Sequence, residues 1–418
     1  MKVLLVSDYF YPFTPGGSEW SVYELARALK ANQVESIVAT LNYGAEPSAG
    51  YHGIKILRIP SLKKLKHTRS VVNPIWQNNP IFFVTSAVHL IKVVRKENPD
   101  IIHVHGKFLI PAGIITGLIT KKPVIVSIRD KQLLCSLGKC FFNKNRMRAC
   151  NFIEYLTSDF PWFYKNYVTN KNLTSLVYTL LGAIWTRLAA VQIAYLAKRA
   201  SAIIAISNSQ KKYLEANGFK KVVTIYNTAP FSKSKSLVSK EKKVLFVGKL
   251  SLGKGAQPLL DAISKIVKKT KVKFIFTGTV DVKQSVQAKM KNEIFKNSTK
   301  FLGPVPHQKL TTFYKNSSLV VMPSIYPEAF GRVALEALAV GTPVVVSDRG
   351  GLPEIVDDRI TGRVIDPTAE DLAEAIIDIL ENEKRYKDNI KREYTRLKNK
   401  FETTPLKMHL KLYNQLLK

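Results

Sequence analysis

Two glutamates, Glu328 and Glu336, stand eight positions apart with Phe330, Gly331 and Arg332 between them. A carboxylate accepts hydrogen bonds from the hydroxyls of a sugar or a ribose. Backbone N–H groups at a helix start favour an anion, and the chain is expected to enter a helix at Phe330-Gly331-Arg332. Hydroxyl acceptors beside an anion site suit a sugar carried on phosphate. A second group lies in the loop Gly-Lys-Leu-Ser-Leu-Gly-Lys-Gly at 248–255. There Lys249 and Lys254 could neutralise a diphosphate and stabilise the charge that builds on a leaving group. Gly16 and Gly17, followed by Ser18 and Glu19, form a glycine-rich turn into a helix that also suits a phosphate. It is not the Gly-X-Gly-X-X-Gly fingerprint, and no Walker lysine follows. Residue types alone also allow a plainer account: an ordinary strand–helix–strand unit with a helix-starting glutamate, and a solvated basic loop.

These groups need elements to position them. Apolar runs at 317–322 and 344–347 read as buried strands. Residues 332–340 between them read as a helix, closed by Gly341 and then Pro343. That is one parallel βαβ unit, whose ligands belong at the carboxyl ends of its strands. A first α/β series runs through strands at 2–7, 36–41, 54–59, 101–105, 124–128, 201–207 and 222–226, with helices at 18–31, 81–96 and 211–217. Residues 232–243 are rich in serine and lysine and read as a linker. A second series follows, with strands at 244–247, 273–277 and 301–305, helices at 258–269, 307–314 and 369–383, and a basic helical tail. The expected organisation is one domain over 1–231 with an apolar insertion at about 150–198, a second over 244–400, and a terminal helix at 401–418.

The stretch 323–354 resembles the carboxylate signature, Glu then seven residues then Glu, of the retaining glycosyltransferases of family 4 (glycosyl transferases group 1). The likeness runs on through Ala-Leu-Ala-Val-Gly-Thr-Pro-Val-Val-Val-Ser-Asp and Gly-Gly-Leu-Pro-Glu. It is strongest over 244–365, weaker at 1–20 and 100–130, and absent at 140–198. The resemblance implies a GT-B fold: two doubly wound, Rossmann-like α/β domains facing across a cleft, with the final helix returning to the first. It implies transfer of a sugar, with retention, from a UDP or GDP sugar to a hydroxyl acceptor, the departing phosphate taking the acceptor proton. Carried over by position, Glu328 would hold the donor sugar and Glu336 the ribose hydroxyls. Phe330, Gly331 and Arg332 would bind the donor, Lys249 and Lys254 the diphosphate. Gly16 and Gly17 would touch donor or acceptor. Two positions depart from the pattern. Many relatives carry His-Asp where this chain has Arg129-Asp130, and an arginine stays charged and cannot serve as a general base. It could bind a hydroxyl or an anionic group, which makes an acidic sugar or phosphorylated acceptor an expectation. Lysine replaces the family's arginine at 249, giving a point charge instead of a fork. With two site residues altered, a non-catalytic nucleotide-sugar-binding protein is the alternative. No cofactor is expected beyond the donor itself. The chain contains no Asp-X-Asp, which fits a metal-independent enzyme and speaks against the GT-A alternative. A dehydrogenase would need the dinucleotide fingerprint and an acidic residue about twenty positions on, and neither is present.

The 418 residues carry a net charge of +33 and are 46% hydrophobic, ample for two cores and unlike a disordered chain. Such charge calls for an anionic partner or a solvated lysine-rich surface. No nucleic-acid-binding module is visible, which leaves an anionic membrane face or phosphorylated substrates. Residues 61–69 add a basic loop with Lys63, Lys64, Lys66, His67 and Arg69. Residues 1–10 do not read as a signal peptide, because the apolar run is short and Asp8 follows it, so a cytoplasmic chain is expected. Residues 173–197 are long, apolar and helix-compatible, about 37 Å if helical and long enough for a bilayer. A spanning helix conflicts with Arg187 near its middle. It also conflicts with the strands on either side, which must share one sheet. The segment is therefore expected in the core or at a membrane interface, where it suits a lipid-linked glycan acceptor in cell-surface glycan, polysaccharide or glycolipid assembly. Cys135, Cys140 and Cys150 lie within sixteen residues. An odd count argues against a disulfide framework. Three thiols without an apparent fourth ligand read as plain thiols, with metal binding the lesser alternative.

Overall fold

The computed structural model describes residues 1–68, 70–129, 133–135, 137, 147–232, 241–281, 290 and 293–418. Arg69, Asp130, Cys140 and most of the expected linker lie outside these. The chain divides into two compact units, Met1–Thr228 with Pro405–Lys418, and Ala229–Thr404. Phe231, at the end of the first domain in the sequence reading, falls in the second unit, where its N–H donates to Glu402 at 3.0 Å.

The first unit is built on an eight-stranded sheet: β1 Lys2–Ser7, β2 Glu35–Asn42, β3 Ser48–Tyr51, β4 Ile54–Pro60, β5 Ile101–Val104, β6 Val124–Ile128, β7 Ala202–Ala205 and β8 Val222–Thr224. Their order is β3-β4-β2-β1-β5-β6-β7-β8. All pairs are parallel except the edge pair β3–β4. Parallel strands must be covered on both faces, and β1 shows how. Val3 and Leu5 point to one side, packing with Val22, Leu25 and Leu29 of the Ser18–Ala31 helix and with Tyr413 of the C-terminal helix. Leu4 and Val6 point to the other, against Phe83, Leu90 and Val94 of the Pro80–Glu97 helix and Ile193 and Ala197. This is the two-residue alternation of a strand. The C-terminal helix is tied down by a buried histidine as well as by apolar packing. His103, inside β5, bonds Tyr413 OH through Nδ1 at 2.7 Å and Ser127 Oγ through Nε2 at 2.8 Å.

The second unit holds a six-stranded, wholly parallel sheet in the order β13-β11-β9-β14-β15-β16. The strands are β9 Lys243–Val247, β11 Lys273–Thr277, β13 Thr299–Phe301, β14 Leu319–Met322, β15 Val344–Ser347 and β16 Gly362–Ile365; β10 Leu250–Ser251 and β12 Val280–Asp281 form a separate short pair. Val244 and Phe246 pack against Leu259 and Ile263 of the Ala256–Ile266 helix and Ile376 and Ile379 of the Ala369–Glu381 helix. In both sheets the strand order reverses at one place, between β1 and β5 in the first and at β9 beside β14 in the second. Such switch points open a crevice at the carboxyl ends of the strands.

Leu173–Ala197 is one continuous helix of 25 residues. It is long and apolar enough to cross a membrane, by length and composition only. The strands that flank it pair directly, Ile125 with Ala202 and Ile128 with Ala205, so both its ends return to one sheet. Arg187, the expected obstacle at its middle, turns inward and donates to the carbonyls of Leu134 and Cys150, each at 2.5 Å. Ala183, Ala189, Ile193 and Ala197 are buried, while Val177, Leu181, Leu188, Val191 and Tyr195 are exposed. The helix is thus half core element and half bare apolar face.

Candidate active site

In the second unit the loop after β9 and the loop after β14 meet. Gly253 O accepts from the N–H of Ile325 at 2.9 Å. Close approach requires the glycines: a Cβ on Gly253 would stand 2.3 Å from the Tyr326 ring, and one on Gly255, at φ +75°, 1.9 Å from Pro323 O. The contact delivers Lys254 Nζ to Glu328 Oε1 at 2.5 Å, and Ser324 Oγ donates to the same oxygen at 2.6 Å. Oε2 carries no hydrogen bond among the described residues. Burial works against the Lys254 ammonium, but the Glu328 carboxylate and Tyr326 outweigh it and raise its pKa above the ordinary lysine value. The result is a charge pair whose side chains are 29% and 14% exposed, with a carboxylate oxygen left to accept from a hydroxyl.

Glu336 is more fully engaged than the sequence implies. Its Oε1 accepts from His307 Nε2 at 2.9 Å and Arg332 Nε at 2.5 Å, and its Oε2 from the Tyr314 hydroxyl at 2.8 Å. Burial pushes the carboxyl up, but Arg332 and then His307 and Tyr314 hold it at about 2. With about four acceptor sites on a carboxylate, room remains for one more donor. Glu328 and Glu336 share none of these partners. Phe330 is buried edge-on to Phe401, so its ring is a packing group. Gly331, at φ +141°, starts the Arg332–Ala339 helix with no side-chain cap. Lys249 stands apart from the Lys254–Glu328 pair, more than half exposed and paired with Asp281 at 2.6 Å. An exposed pair of this kind is weak and can open to an anion.

The first unit holds a half-open cavity of about 970 Å³ at its switch point. Asp8 follows β1, His105 follows β5 and Arg129 follows β6, and all three line it together with Gly16, Glu19 and Lys107. Its other wall is Tyr178, Leu181 and Trp185 of the long helix. Gly17 caps the Ser18–Ala31 helix as expected of a glycine-rich turn. The phosphate role expected of Gly16 meets an obstacle: its N–H donates to Glu19 Oε2 at 3.0 Å, so a buried carboxylate already fills that place. Burial raises the Glu19 pKa. Arg129 donates through Nη1 to Asn227 Oδ1 and through Nη2 to His105 Nδ1, both at 2.7 Å. A guanidinium can only donate, so His105 Nδ1 accepts. Burial first, then His103 and Arg129, keep His105 well below its ordinary pKa and hence neutral. The proton must then sit on Nε2, which is buried and has no hydrogen-bond partner among the described residues. His105 is therefore a fixed donor and not a base. Asp8 accepts from the N–H groups of Phe108 at 3.1 Å and Leu109 at 3.0 Å, yet burial pushes its pKa up to about 7.

Asp8, Glu19 and His105 were not singled out from the sequence. Their signal was positional, since Asp8 and His105 each follow directly on a buried strand flanking the switch point.

The Asp8 shift gives a pH test. The folded chain holds a proton that the unfolded chain has released between roughly pH 4 and 7. Asp8 should therefore favour folding more at about pH 5 than at about pH 8. Urea unfolding of the wild type and Asp8→Asn should show the wild type losing ground to the variant as pH rises through this window. Parallel pH profiles would contradict the assignment.

Residues 15–230 match the family described as Glycosyltransferase Family 4, and residues 228–396 match Glycosyl transferases group 1. The chain is 26% identical over 390 residues to an uncharacterized glycosyltransferase of Methanocaldococcus jannaschii, covering 89% of this chain and 86% of the relative. Among solved structures it is similar to the sucrose-phosphate synthase of Thermosynechococcus elongatus, with TM-score 0.70, 18% identity, and 99% and 98% of the two chains covered. It is also similar to Anabaena HepE in complex with UDP, with TM-score 0.65, 19% identity, and 99% and 100% covered. The fold these neighbours share is the GT-B fold of two Rossmann-like domains. The chain belongs to glycosyltransferase family 4 and is a glycosyltransferase.

Proposed function

We propose that this glycosyltransferase takes a sugar from a nucleoside diphosphate sugar, UDP- or GDP-linked, and transfers it with retention to a hydroxyl of a lipid-linked glycan. The observation that carries the reading is the Lys254–Glu328 pair at the β9/β14 switch point, beside the uncapped helix start at Gly331. Lys254 and the helix N-terminus supply positive charge for a diphosphate. Lys249 can leave Asp281 to add a second cation. Glu328 Oε2 accepts from a hydroxyl of the donor sugar. Glu336, whose Oε2 holds one donor among the described residues, accepts from a ribose hydroxyl and at the same time fixes Arg332 and His307. UDP bound to Anabaena HepE supports a uridine nucleotide as the first to try.

Glu328 is bound on one oxygen by an ammonium and a hydroxyl, and this suits electrostatic holding better than attack on the sugar. Charge that develops on the departing diphosphate is met by Lys254, and the phosphate oxygen takes the acceptor proton. No metal is required for these roles. The acceptor belongs to the cavity of the first unit. Arg129 and the Nε2–H of His105 bind its polar end, while Tyr178, Leu181 and Trp185 receive an apolar chain. The exposed stripe Val177, Leu181, Leu188, Val191 and Tyr195, with Lys198 and Arg199 exposed at its end, suits contact with an anionic membrane surface on the cytoplasmic side.

Two results follow. With a competent donor and acceptor, Lys254→Ala should lower kcat by about 100-fold or more, and product examined by NMR should keep the anomeric configuration of the donor. Inverted product, or undiminished turnover in the variant, would overturn the mechanism. Donor binding without transfer or hydrolysis would return the non-catalytic alternative. Separately, the wild type should float with anionic liposomes at low salt, and Leu188→Glu with Val191→Glu should abolish it. Failure of the wild type to float would remove the membrane role and leave the transfer reaction standing.

A further inference from the structure

Beside the cavity the long helix packs over a small separate core of Cys135, Cys150, Tyr155, Phe160 and Ala183. Within it Cys135 Sγ, Cys150 Sγ and a carboxylate oxygen of Asp159 all lie within 4.8 Å of one another, and all three residues are buried. Cys150 Sγ is 2.9 Å from Asp159 Oδ2 and Cys135 Sγ is 3.5 Å from the same oxygen. We propose that Cys135, Cys150 and Asp159 supply three ligands of a zinc site that braces the fold locally, with water in the fourth tetrahedral position.

Three features carry the inference. The donor set is right: two thiolates and a carboxylate are ligands of zinc, and the thiolates disfavour magnesium or calcium. The size is right. Zinc–sulfur bonds of about 2.3 Å and zinc–oxygen bonds of about 2.0–2.2 Å need donor atoms within about 4 Å of one another, which this cluster meets with small shifts. The surroundings hold the ligands in place. Arg187 donates to the carbonyls of Leu134 and Cys150 at 2.5 Å each, clamping the two cysteine-bearing segments side by side. Asp159 closes a π-helical turn, Tyr155–Asp159, a local geometry common at functional sites. The Tyr155 hydroxyl donates to Ala183 O at 3.0 Å. A supporting shell of this kind orients the ligands of a metal.

The two thiols lose their protons on binding, so zinc uptake releases about two protons per chain. Cys140 lies outside the described residues and is not counted among the donors. The role is mechanical. Leu133, Ala183 and Thr186 line the cavity, so the metal would pin Cys135 and the segment 150–159 beside the helix that forms the cavity wall. It takes no part in sugar transfer.

The test uses the full chain purified under reducing conditions without chelator. Plasma mass spectrometry should find about one zinc per chain, released when the thiols are blocked. Zinc removal should lower the melting temperature and zinc return should restore it. Cys150→Ser and Asp159→Asn should each weaken zinc binding by about 10-fold or more. Should a variant fail to fold, the wild type loaded with cobalt still decides, because thiolate ligation gives a charge-transfer absorption. Absence of that band and of retained zinc, full zinc retention in both variants, or a Cys135–Cys150 disulfide in peptide mapping would each overturn the proposal.

Discussion

The polar groups gathered at the two switch points are placed by one constraint: a parallel sheet covered on both faces has nowhere to keep a charge except at its strand ends. β1, β5, β9 and β14 are apolar along their buried lengths, apart from the hydrogen-bonded Ser7 at the end of β1 and His103 in β5. Ligands must therefore sit past the carboxyl ends, and the strand order opens room there at only one place per sheet. Asp8, His105 and Arg129 follow strands around the β1/β5 switch. Lys254 and Glu328 follow β9 and β14 at the other. Two regions far apart in sequence obtain the same kind of site from the same topology.

The two switch points are furnished differently. The second unit gathers opposite charges, Lys254 with Glu328 and Arg332 with Glu336, and Arg332 keeps the Glu336 carboxylate ionised where burial would otherwise neutralise it. The first unit does the reverse. Burial dominates there, raising Asp8 and Glu19 and keeping His105 neutral. Arg129 is a fixed charge whose influence reaches both Glu19 and His105. This permanent cation fixes the tautomer of the neighbouring His105.

Much of this was legible in the sequence. The parallel strands were readable because a strand buried on both faces leaves a continuous apolar run, as at 3–6 or 344–346. The Glu328–Glu336 segment was readable because its residue order is specific. The partners were not. Nothing in the local sequence ties Lys254 to Glu328 across 74 positions, or Tyr314 and His307 to Glu336. The Ile110–Thr120 helix carries two glycines, Gly113 and Gly117, and they are there because Val104 and Val124 leave no room for a Cβ, a tertiary reason that local propensity cannot anticipate. The edge strand Ser48–Tyr51 is short and half exposed, so it lacks the apolar signature. Asp159 is likewise invisible as a companion of the cysteines until folding brings it beside them.

The central claim is that the β9/β14 switch point binds the diphosphate of a nucleotide sugar through Lys254. The direct measurement is the thermal shift of the purified chain with UDP, GDP and ADP, in the wild type and in Lys254→Ala. A ligand that binds the folded state raises its melting temperature. The account predicts a rise with one nucleotide in the wild type and a clearly smaller rise in the variant. No rise with any nucleotide, or the same rise in both proteins, would contradict it.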